Sequence, residues 1–118
     1  MGGKAKRAYK RGRYREYKVR DFLRKLGLFV VRCAGSKPVD LVIVRNGESI
    51  FCEVKSEPYL APSERKKLEE IARASGSPVY LAVWAKGKLT LYHVAGPKNE
   101  QFEALLAKAG VRTMENFK

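Results

Sequence analysis

The chain has 118 residues, 45% hydrophobic and 31% charged, which suits one domain with a core of its own. No apolar run approaches the ~18 residues of a membrane span, and the basic N-terminus lacks the apolar segment of a secretory signal; the expectation is a cytoplasmic, nucleoid-associated protein with no membrane partner. Twenty-five Lys and Arg against twelve Asp and Glu leave a net charge of +13, a field that draws polyanions and makes nucleic acid the expected partner.

Residues 1–12 carry Lys4, Lys6, Arg7, Lys10 and Arg11, with Arg13 following and no acid before Glu16. Such a block reads as a basic arm for DNA phosphates, with Tyr9 and Tyr14 able to stack on bases; a plain solubility tail is the other reading. From about Arg13 to Lys25 the pattern turns helical, with Val19, Phe22, Leu23 and Leu26 at three- and four-residue spacing and Gly27 as the stop. Glu16 falls on the inward stripe, where it serves the helix dipole, pairs with Arg20, or points into a site beneath the helix. Leu28–Arg32 reads as a strand, and Cys33 to Pro38 as a loop rich in breakers.

Two further strands, Asp40–Arg45 and Ser49–Ser56, flank Asn46-Gly47, the strongest short-range hairpin signal. Pro62-Ser63 opens a helix with Leu68, Ile71 and Ala72 inward and Gly76 as its stop. Val79–Ala85 and Leu89–Val94 pair across Lys86-Gly87-Lys88, and Asn99 caps a last helix facing inward through Phe102, Leu105 and Leu106. Cys33 and Cys52 read as reduced thiols in apolar strands, and His93, the lone histidine, as a sheet residue. This order predicts an α/β fold, a mixed central sheet of about five strands flanked by helices. It divides into an arm (1–12), a core (13–95) and a C-terminal helical extension (96–118).

The hairpin carries the chemistry. A two-residue loop places Arg45 opposite Glu48 and, counting outward, Asp40 opposite Glu53, with directly opposed Cβ atoms about 5 Å apart. Like charges that close destabilise a sheet unless a cation or a shared proton neutralises them. Alternation puts Lys55 on the face of Glu53. Either acid alone reads equally as a turn residue or a solvated strand face, and a three-residue loop would break the pairing. As a set, two acids and a lysine form the pattern of a metal-dependent phosphodiesterase.

Arg32, the run Gly35-Ser36-Lys37-Pro38-Val39-Asp40-Leu41 and Glu53-Val54-Lys55, behind a helix bearing Glu16, resemble the PD-(D/E)xK nuclease superfamily. The stretch Val30–Leu41 is more specific and is similar to the archaeal Holliday junction resolvases. Val39 stands where the superfamily label has proline, and Tyr17 where some members carry a basic residue. The resemblance implies a restriction-endonuclease-like fold. It implies Glu16, Asp40 and Glu53 around a Mg²⁺ ion (Mn²⁺ as a substitute) with the Val54 carbonyl, Lys55 as catalytic lysine, Arg32 as an essential arginine and Ser36 on a mobile loop beside Lys37. It also implies paired nicks in four-way DNA junctions by a homodimer, with an apolar interface expected on helix 62–75 and the later strands. A nuclease acting on non-junction DNA and a non-catalytic nucleic-acid-binding module remain open as alternatives.

Overall fold

The computed structural model describes residues 2–115, with side chains for 12–35 and 37–115. In chain order the elements are α1 (Gly2–Lys25), β1 (Phe29–Arg32), a 3-10 turn (Ala34–Ser36), β2 (Leu41–Arg45), β3 (Glu48–Lys55), α2 (Pro62–Ser75), β4 (Val79–Ala85), β5 (Lys88–Ala95), α3 (Glu100–Lys108) and β6 (Thr113–Met114). The strands form one sheet in the order β1-β2-β3-β4-β5-β6. Pairs β3/β4 and β5/β6 are parallel and the others antiparallel. The parallel β3/β4 step is made by the crossover through α2, which hairpin-length loops cannot provide.

Two packed layers hold the sheet. Val19 and Leu23 of α1 and Phe102 and Leu106 of α3 meet Leu41, Ile43, Ile50, Cys52 and Tyr80 on one face. Leu68 and Ala72 of α2 meet Val39, Val79, Leu81 and Val83 on the other. The Tyr80 hydroxyl donates to Glu103 Oε2 at 2.6 Å and accepts from the Asn99 amide at 3.0 Å, tying β4 to α3. Asn99 is the expected cap: its Oδ1 accepts from Phe102 N at 3.0 Å. Cys33 and Cys52 are free thiols, and His93 packs edge-on against Tyr80 with ring centroids 5.4 Å apart.

Three expectations change. The first helix begins at Gly2 rather than near Arg13, and the boundary drawn at residue 12 falls inside it. Apart from Gly2, Gly3, Tyr9 and Gly12 the basic block over residues 2–12 is Lys, Arg and Ala, which are strong helix formers, and no proline interrupts the chain before Pro38. Lys4, Lys6, Arg7, Lys10 and Arg11 lie in this helix, but their side chains are outside the described residues. A sixth strand, β6, extends the sheet, with Leu91 N donating to Arg112 O at its entry. Among the described residues, the large exposed apolar side chains include Phe29, Val31 and Val44 on β1 and β2 and none on α2, so the expected apolar face of helix 62–75 is not exposed. No described helix is long and apolar enough to cross a membrane.

Gly96 follows β5 at φ 76°, and a Cβ there would stand 2.3 Å from the Ser77 carbonyl oxygen. Backbone cannot yield as a flexible side chain does, and the left-handed conformation adds its own strain. Gly96→Ala is expected to lower unfolding free energy by about 2 kcal/mol or more in urea denaturation.

Candidate active site

The predicted hairpin register holds. Arg45 opposes Glu48, Val44 opposes Ser49 and Ile43 opposes Ile50. Asn46 and Gly47 take the positive φ angles, 52° and 78°, that a type I′ turn demands. The ladder ends at Leu41 opposite Cys52, so Asp40 lies just outside it rather than paired across the sheet with Glu53. Its carboxylate turns instead to the neighbouring strand end, where Oδ2 accepts the Val54 N–H at 2.8 Å. Its carbonyl takes the Cys33 N–H at 2.9 Å. Asp40 is thereby fixed from both sides at the mouth of the sheet, and it is buried.

Glu16 reaches this mouth from α1. It lies in the interior of that helix, so a first-turn role toward the dipole is ruled out, and Arg20 pairs with Asp21 at 2.8 Å instead. Glu16 is buried at 8% exposure and accepts from Arg32 Nε at 2.8 Å. The Arg32 guanidinium also sits 5.0 Å from the Tyr17 ring centroid. Burial holds the Glu16 carboxyl above its ordinary pKa, and the charge and hydrogen-bond contact of Asp40 add to this against the opposing Arg32.

Glu53 arrives from the opposite face, the one covered by α2. It is 6% exposed, its Oε1 is buried with no hydrogen-bond partner, and its Oε2 lies 3.8 Å from Lys67 Nζ. Burial, reinforced by Asp40, raises its pKa to about 7, while Lys67 and Lys55 pull the other way. Lys55, two residues along the same face, pairs with Glu64 Oε2 at 2.5 Å. The other Glu64 oxygen accepts the Ala61 amide at 2.9 Å, the acid half of a capping box whose N-cap alanine offers no acceptor in return. The hydrogen bond from Lys55 outweighs burial and leaves the Glu64 carboxyl below its ordinary range.

Asp40 is therefore the junction of the cluster, its charge acting on Glu16 on one side and on Glu53 on the other. Among the described residues no group of three or more His, Cys, Asp or Glu side chains stands ready to enclose one metal ion, so the three acids expected around a single ion are not so grouped here. The pair Asp40 and Glu53 fits a divalent cation better, because Mg²⁺ needs only one or two carboxylates and keeps several waters. A buried carboxylate oxygen without a donor, beside a second acid, is the polar environment such an ion satisfies. Lys37 is exposed, and Arg13 lies on α1. Ser36 closes the 3-10 turn, but its side chain is outside the described residues.

Glu64 and Lys67 join the site without having been singled out by the sequence pattern. Glu64 has a local signal, an acid at the third position of a helix opened by Pro62. Lys67 has none, since its partner depends on how α2 lies on β3.

The family model described as archaeal Holliday junction resolvase (Hjc) matches residues 7–109. Over 85 residues the chain is 33% identical to crossover junction endodeoxyribonuclease Hjc of Methanocaldococcus jannaschii, covering 69% of this chain and 64% of that relative, just short of two thirds of its length. The crystal structure of Archaeoglobus fulgidus Hjc, described as a Holliday junction resolvase from an archaeal hyperthermophile, superposes with a TM-score of 0.62 at 25% identity, covering 71% of this chain and 73% of that one. With the fold in agreement and a family match spanning most of its length, the chain belongs to the archaeal Holliday junction resolvase family.

Proposed function

We propose that this protein is a metal-dependent endodeoxyribonuclease that nicks DNA at four-way junctions, acting as a homodimer so that two sites make the paired cuts. The observation that carries the chemistry is Glu53, a carboxylate buried beside Asp40 with one oxygen unpartnered. The junction substrate is supported by the names of the relatives and the DNA partner by the net charge of +13.

Asp40 and Glu53 are the residues that would hold Mg²⁺ or Mn²⁺, with Glu16 and the Val54 carbonyl beside them. A divalent cation bound there supplies a Lewis acid for the phosphoryl oxygen and lowers the pKa of water. Val54 N–H and Arg32 keep Asp40 and Glu16 aimed at the mouth. Lys55 places an ammonium at the edge of the site, where negative charge grows as the phosphorus–oxygen bond breaks. Arg32 has further N–H groups for a neighbouring phosphate.

The test compares a four-way junction, a linear duplex and a flap, each with Mg²⁺, with Mn²⁺ and with EDTA. Symmetric nicks confined to the junction and lost in EDTA are expected, and sedimentation should give twice the chain mass. Equal cutting of all three substrates would assign a general nuclease, and binding without any cutting would leave a DNA-binding module.

The basic N-terminal segment gives an independent prediction. Replacing Lys4, Lys6, Arg7 and Lys10 together by Ala keeps helix propensity and removes charge. Junction affinity should fall, and the slope of log K against log salt should flatten by about 0.9 for each phosphate no longer neutralised. An unchanged slope would show that these side chains do not touch DNA.

A further inference from the structure

Beside the acid cluster, toward the open ends of β3 and β4, lies a groove of about 580 Å³ lined by Tyr14, Arg15, Lys18, Ser56, Trp84 and Lys86 among others. We propose that this groove binds one nucleotide that is unpaired and unstacked where the DNA branches, an inference that rests on reading the chain as a junction-cutting nuclease.

Three observations support the assignment. The groove combines cations with aromatic rings and, among the described residues that line it, has no acid; this is the composition that holds a phosphate and a base together. Its volume suits a single small ligand rather than a duplex. Arg15, which lines it, brings a planar guanidinium of the kind that suits a phosphate.

The aromatic walls differ in their support. Trp84 is half-buried and braced by Phe22, whose ring meets it edge-on at 6.4 Å, so its indole is held in place before any ligand arrives. Tyr14 is 56% exposed with the Lys18 ammonium 5.1 Å from its ring centroid, an arrangement open to a base. The groove also adjoins the site through the chain. Arg15 precedes Glu16 on α1, and Ser56 follows Lys55 on β3.

Trp84 is the single tryptophan of the chain, so its emission reports directly on stacking. The full-length protein, in EDTA so that no strand is cut, is titrated with a short oligothymidylate and with an abasic oligomer of the same length and charge. Saturable quenching by the oligothymidylate and several-fold weaker quenching by the abasic oligomer are expected. Tyr14→Ala should weaken binding about tenfold, within what stacking one base contributes, and Tyr14→Phe, which keeps the ring, should restore it. No quenching, equal quenching by both oligomers, or an unchanged affinity in Tyr14→Ala would overturn the assignment. Junction nicking by the same preparation with Mg²⁺ separates the two readings: nicking without quenching overturns the groove alone, and quenching without nicking overturns the nuclease reading alone.

Discussion

Asp40→Asn is expected to abolish divalent-cation-dependent cleavage, a loss of about 10³-fold or more, while fold and DNA affinity stay close to wild type. The fold survives because the asparagine Oδ1 can still accept the Val54 N–H that Asp40 Oδ2 accepts at 2.8 Å. What disappears is the negative charge, and with it the proposed metal ligand whose field acts on both Glu16 and Glu53. A metal ion contributes several kcal/mol of transition-state stabilisation, and each 1.36 kcal/mol is a factor of ten, which sets the magnitude. Single-turnover cleavage of a labelled junction measures the loss and electrophoretic binding in EDTA measures the affinity. Cleavage at the wild-type rate would remove Asp40 from the chemistry.

Glu53 predicts an unusual pH dependence in the metal-free protein. The folded carboxyl keeps its proton to about pH 7, against 4.5 for the ordinary group, so between these values the native state binds more protons than the unfolded chain. Glu53 therefore contributes stability that is fully present below about pH 4.5 and lost as pH rises through 7, on the order of 3 kcal/mol in all. Glu53→Gln keeps the volume and removes the titration. In urea unfolding without metal, the stability difference between wild type and Glu53→Gln should shift in favour of the variant by that amount between about pH 4.5 and pH 8. Adding Mg²⁺ at the upper pH should recover stability in the wild type only. A difference independent of pH would show that Glu53 ionises freely in the fold.

What the sequence made legible was local. Asn46-Gly47 set the hairpin register because the two positive φ angles of its turn leave one pairing, and that pairing held from Leu41 to Arg45. Asn99 announced α3 because a side-chain oxygen three residues before Phe102 is a local cap. The register expected for the opposed acids held up to its last step: the ladder stops at Leu41 opposite Cys52, and Asp40 just beyond it accepts the Val54 N–H. The start of α1 was misplaced because charge density was read ahead of helix propensity. β6 is two residues long and exists only through its docking on β5, which no periodicity can announce. Lys67 and the partnership of Lys55 with Glu64 depend on how α2 lies across β3, a packing relation between segments about ten residues apart.

The two ion pairs between β3 and α2 have an electrostatic result. At the sheet mouth the carboxyls of Glu16, Asp40, Glu53 and Glu64 lie among the cations of Arg32, Lys55 and Lys67, so the positive charge of those side chains is largely matched there. In a chain carrying +13, the spot proposed for the scissile phosphate thus lacks the surplus of positive charge that would hold the rest of the backbone. A doubly charged ion bound at the proposed site would supply that surplus, and seating of the phosphate would then wait on the metal rather than on the DNA.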